Sequence, residues 1–167
     1  LRIYSKELFD FDLTYTRYKA GNLEFRAYVE ALTAKASEKN IDASVFGNLS
    51  LLRRSFEAEG AIDFKEAEAE RARLIGALHK ELSLNEAEEL AGKAVAFKLG
   101  RMPQKEFYGY LLAQAALVGI DTAPFGELKK YIAYVALYDA VDKSKIFDEI
   151  RSLEEKVRDA LCATDDQ

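Results

Sequence analysis

Residues 41–49 read IDASVFGNL and residues 120–128 read IDTAPFGEL, so the pattern I-D-x-x-x-F-G-x-L recurs after 79 positions. With residues 5–83 laid over 84–162 without a gap, 16 of 79 positions are identical. The identities fall where a fold is punctuated and packed. Gly21 meets Gly100, Ile41 and Asp42 meet Ile120 and Asp121, and Phe46, Gly47 and Leu49 meet Phe125, Gly126 and Leu128. Asp63 meets Asp142, Glu70 meets Glu149, and Leu74 and Leu82 meet Leu153 and Leu161. Turn positions and core positions that recur together at one spacing predict a tandem duplication of a module of about 79 residues.

Each copy reads as four helices. Two prolines and nine glycines in 167 residues leave long stretches of good helix formers. The first helix of copy one places Tyr4, Leu8, Phe11, Tyr15 and Tyr18 on one stripe, and copy two uses Ala87, Leu90, Ala94 and Phe97. Gly21 and Gly100 stop these helices. The second helix is expected to start near Asn22 as N-cap in copy one, and at a first-turn Pro103 in copy two. Its stripes are Phe25, Tyr28, Val29, Leu32 and Ala36, then Phe107, Tyr108, Leu111, Ala115 and Val118. The fourth helix begins after the caps Asp63 and Asp142, D-F-K-E at 63–66 having capping-box spacing. In copy two it carries Ile146, Ile150, Leu153, Val157 and Leu161, a seam for an antiparallel neighbour.

The repeated loop motif has a structural reading at every position. Asp42 and Asp121 can accept hydrogen bonds from backbone N–H groups just ahead of them. The isoleucines pin the chain to the core, the phenylalanines plug the gap between helices, and the glycines turn the backbone. The third helices differ. LSLLRRSFEAEG (49–60) is amphipathic, whereas LKKYIAYVALYDAV (128–141) holds eight consecutive apolar or tyrosyl residues from Tyr131 to Tyr138. A helix apolar all round is expected to be buried on several sides, or to face a partner.

The expected fold is therefore all-α: two four-helix copies, residues 1–83 and 84–162, packed as antiparallel hairpins into an elongated bundle or a short solenoid. The two copies can also merge into one continuous domain. Residues 163–167 read as the start of a further segment or a tail, with Thr164 in the register of a cap at Asn85. The chain opens on Leu1 and reads as a segment of a longer protein.

Catalytic and metal chemistry find little support in the residues. One histidine, His79, and one cysteine, Cys162, rule out the Glu-x-x-His pairs of a di-iron bundle and Cys/His zinc sets. His79 beside Lys80 suits the negative end of a helix, and Cys162 reads as a passive thiol. Glu66 and Glu70 share a helix face but read as solvated charges, and no Asp-rich calcium loop occurs. Phosphate loops, dinucleotide fingerprints and nucleophile elbows are missing. No cofactor and no metal are expected. Twenty-four Lys and Arg against twenty-nine Asp and Glu leave a net charge of −5, which argues against a nucleic-acid partner. The longest apolar runs are about half of what a membrane span needs, and a lone cysteine goes with a reducing, cytoplasmic setting.

The tyrosines cluster in copy two. Tyr131, Tyr134 and Tyr138 are either a helix–helix seam or the anchors of a protein-binding patch, tyrosine being enriched at interface hot spots. The functional expectation is a non-catalytic interaction or scaffold module of a larger protein, with those three residues touching a protein partner or another part of the same chain. The alternative is a helical accessory or lid domain of an enzyme whose catalytic part lies elsewhere, with Asp42 and Asp121 or Glu70 and Glu149 lending carboxylates. Self-association through copy two is a third reading.

Overall fold

The structure, a computed structural model, describes residues 5–163; the expectations placed on Tyr4 and Thr164 lie outside that range. Among the described residues the chain forms eight α-helices and a short 3-10 turn, with no strand. The helices are α1 (Lys6–Lys19), α2 (Phe25–Glu38), α3 (Gly47–Gly60), α4 (Phe64–Glu81), α5 (Leu84–Lys98), α6 (Gln104–Leu117), α7 (Gly126–Asp139) and α8 (Ile146–Ala163). None is long and apolar enough to cross a membrane. The described residues divide into two compact units: 5–56 with 140–163, and 57–139.

The first unit holds α1, α2, most of α3, and α8. Ser5 caps α1 by accepting from the Leu8 N–H at 3.1 Å. Gly21, at φ +74°, ends the helix in the left-handed region, and the Asn22 N–H closes the turn on the Arg17 carbonyl at 2.8 Å. Asn22 thus finishes α1 rather than starting α2, whose cap position is Glu24, without a side-chain bond. The core is the fully buried set Tyr28, Val29, Leu32 and Ala36 of α2, together with Leu49 of α3. The α8 seam (Ile150, Leu153, Val157 and Leu161) packs into it, and α8 lies along α2 and α1. The Tyr28 hydroxyl, in this core, donates to Glu154 at 2.6 Å, and Arg158 donates to Asp12 at 3.0 Å.

The second unit holds α4 to α7. Ser83 caps α5 in a full capping box with Glu86, the role that the sequence pattern gave to Asn85. Pro103 sits one position earlier than expected, at the cap of α6 rather than in its first turn. The core joins Leu74 and Leu78 of α4 to Leu90 of α5, Phe107, Tyr108 and Leu111 of α6, and Leu128 of α7. Helix α4 packs on α7 and α6.

Several details recur at the 79-residue spacing. Helices α2 and α6, and helices α3 and α7, begin and end exactly 79 positions apart. Tyr18 stacks on Tyr28 with ring centroids 4.3 Å apart; Phe97 stacks on Phe107 at 4.4 Å. Asp42 accepts from the Ser44 N–H at 2.8 Å, and Asp121 from the Ala123 N–H at 2.9 Å. Gly100 repeats the positive φ of Gly21. Two starts depart: α5 begins one position earlier than the spacing from α1 would place it, and α8 begins at Ile146, three positions later than the spacing from α4 would place it.

The compact units do not follow the boundaries 1–83 and 84–162 expected from the repeat. Helix α4 closes the unit made by α5, α6 and α7, and α8 closes the unit made by α1, α2 and α3. The reason is physical. The fourth helices carry matching buried positions, Leu74 and Leu78 against Leu153 and Val157, so periodicity alone does not say which trio each one joins.

Candidate partner-binding surface

Helix α7 runs from Gly126 to Asp139 without a proline or an internal glycine. Leu128 and Val135, seven residues apart, lie two turns along one face and are buried. Of the two expectations for this helix, burial on several sides is met only in part: Ala133, Ala136 and Tyr138 are exposed, and Tyr134 is half-buried. The three tyrosines singled out from the sequence form a ladder that climbs out of the core. Tyr131 meets Tyr134 with centroids 6.1 Å apart, and Tyr134 meets Tyr138 at 6.2 Å. Tyr138 keeps 45% of its surface exposed.

Tyr131 is the inner rung. Its ring is edge-on to Tyr108 at 5.5 Å and to Phe64 at 6.1 Å, and its hydroxyl donates to Gln104 at 2.8 Å. Burial, and then the neighbouring Tyr108 and Tyr134, push its phenol above the ordinary tyrosine range. Phe64, at the start of α4, is 48% exposed. Between α4, α6 and α7 lies a cleft of about 240 Å³, lined by Phe64, Ala67, Glu68, Arg71, Tyr108 and Tyr131. Arg71 is held there by donating to the Tyr108 hydroxyl at 3.2 Å and to Glu68 at 3.3 Å. The cleft thus offers aromatic walls, one cation and one carboxylate, a mixture suited to an amphipathic side chain.

Of the carboxylates weighed as metal or catalytic groups, Glu70, Glu149, Asp42 and Asp121 accept from backbone N–H groups. Glu70 is not the solvated helix charge that its spacing from Glu66 predicts. It is 5% exposed and accepts from the Leu128 N–H at 2.7 Å, at the N-terminus of α7. Glu149 does the same for α3, accepting from the Leu49 N–H at 2.9 Å and from the Asn48 side chain at 2.8 Å. The residue before each of these helices is a phenylalanine, whose side chain has no acceptor. The free N–H groups of the first turn are satisfied instead by a glutamate from a distant helix. In the sequence, Phe46 and Phe125 mark two helix starts without Ser, Thr, Asp or Asn at the cap, but not which residue supplies the missing acceptor.

Glu66 pairs with Arg73 at 2.7 Å. Asp42 and Asp121 sit in their turns as the motif predicts. His79 and Cys162 are exposed, His79 in the last turn of α4. Among the described residues no three His, Cys, Asp or Glu side chains are grouped to hold a metal ion. Comparison with known proteins returned no match: no family model, no curated protein and no solved structure is significantly similar to this chain.

Proposed function

We propose that this chain is a non-catalytic helical interaction or scaffold module, built from two copies of a four-helix unit, with its partner surface on α7. The observation that carries the reading is the tyrosine ladder beside an open aromatic cleft. Tyr134 and Tyr138 extend outward from Tyr131, and exposed Phe64 flanks the cleft. Amphipathic aromatic side chains that are rigidly held and accessible supply contact area at low entropic cost, which is what a protein-binding hot spot requires. The duplication is supported by the helix boundaries, ring stacks and turn bonds that recur after 79 residues. A cytoplasmic setting goes with this reading, since the one cysteine is exposed and free.

The test separates surface from core. Tyr131 packs on Tyr108 and should be left intact; Tyr134→Ser with Tyr138→Ser removes the outer rungs only. Proteins captured from cells by the parent chain are identified, purified and titrated against both forms. The double variant is expected to lose about tenfold or more in affinity, as hot-spot truncations do, with its thermal midpoint nearly unchanged. Equal affinity of the two forms would move the binding surface elsewhere. A collapse of the midpoint would make these tyrosines packing residues.

A further inference from the structure

The first unit is discontinuous in the chain. Buried side chains of α1, α2 and α3 pack on α8, the helix that completes this core, and α8 follows residues 57–139, which make the other unit. What α8 brings is well defined. Ile150, Leu153, Val157 and Leu161 enter the core beside Leu32 and Leu49, while Glu149 binds the N-terminus of α3 from a position 100 residues further along the chain. The connection that leads into α8, residues 140–145, is short and mostly exposed.

We propose that two copies of this chain associate by exchanging α8, each copy placing its α8 in the α1–α3 groove of the other. Three features lead there. The groove recognises α8 through side chains and a glutamate cap, all of which a second copy presents identically. Within one chain α8 follows α1–α3 only after residues 57–139, so it joins the groove through contacts remote in sequence rather than as a hairpin neighbour. The connection that must re-route is six residues long, held to the first unit by the buried Val141 and by the Asp142 N–H, which donates to the Asn48 side chain at 2.8 Å, and exchange of an identical element is a low-cost route to a closed dimer. The second unit has no such opening, because α4 to α7 are contiguous in the chain. This inference is independent of the α7 surface.

A complementation experiment tests it. One full-length variant, Leu153→Asp with Val157→Asp, cannot donate a working α8. The other, Leu32→Asp with Leu49→Asp, cannot accept one. Each refolded alone is expected to lose the helical signal of the first unit. Unfolded and refolded together, they are expected to give a heterodimer of twice the monomer mass that regains about half of the lost signal, because one of the two grooves receives an intact helix. A mixture that stays monomeric, with a signal equal to the sum of its parts, overturns the proposal. If either variant keeps its signal alone, the parent chain decides. Two differently tagged parent chains, refolded together over a range of concentrations, must co-purify increasingly as concentration rises; their failure to do so at any concentration overturns the proposal.

Discussion

At the residue scale the two glutamates stand out because each does a job that its neighbours cannot. Phe46 and Phe125 precede helices that need an acceptor, and Glu149 and Glu70 supply it from elsewhere in the fold. Glu70→Ala leaves the Leu128 N–H buried without a partner. Chemical denaturation is expected to show a loss of about 2–3 kcal/mol, and Glu70→Gln, which keeps a neutral acceptor, a smaller one. Tyr110 is the opposite case. Its hydroxyl is buried without a hydrogen-bond partner, and burial raises its phenol above the ordinary range. Tyr110→Phe is therefore expected to be neutral or to stabilise by about 1 kcal/mol in a thermal melt. The Asp142 carboxyl is held below the ordinary aspartate range by hydrogen bonds from Ser144, first through its side chain and then through its backbone. A depressed folded-state pKa contributes stability that is present above the unfolded value and is lost as pH falls through the folded one. Ser144→Ala is expected to move the Asp142 titration, read by NMR, up toward the ordinary range.

At the scale of single elements, the helices follow their local chemistry closely. The α8 seam was legible from spacing alone, since Ile146, Ile150, Leu153, Val157 and Leu161 are its buried residues. Leu153 is fully buried. Leu153→Ala is expected to cost about 2–5 kcal/mol by urea unfolding, the range for a core leucine whose cavity does not collapse. Tyr138→Ser, at the exposed end of α7, should change stability by less than about 0.5 kcal/mol. The contrast between Tyr131 and Tyr138 was not legible. The run from Tyr131 to Tyr138 is apolar on every face, so periodicity gave no indication of which side α4 and α6 would cover. Only the packing of Phe64 and Tyr108 against Tyr131 makes that side the inner one. Caps chosen by residue type alone also moved where backbone geometry competed, as at Asn22, which closes α1.

For the whole molecule, the consequence of the unit boundaries is an asymmetry in autonomy. Residues 57–139 are contiguous and carry a complete core, whereas the first unit depends on the return of α8. A fragment covering 57–139 is expected to be helical and to melt cooperatively. A chain ending at residue 139 is expected to lose amide-exchange protection in α1 and α2 while keeping it in α5 and α6. Uniform loss of protection over both units would show that they unfold as one.

The helices, the caps at Ser5 and Asp63 and the paired turns at Asp42 and Asp121 were determined by the sequence itself, because each depends on side chains within a few positions of one another. The tertiary structure alone decided which fourth helix closes which trio, and hence that Glu70 and Glu149 are caps rather than surface charges. Both helices present a glutamate followed by apolar residues four and eight positions later, at 70, 74 and 78 and at 149, 153 and 157. Local pattern is indifferent between the two grooves. The choice is made by packing and chain closure between residues far apart in the chain, which no window along the sequence contains.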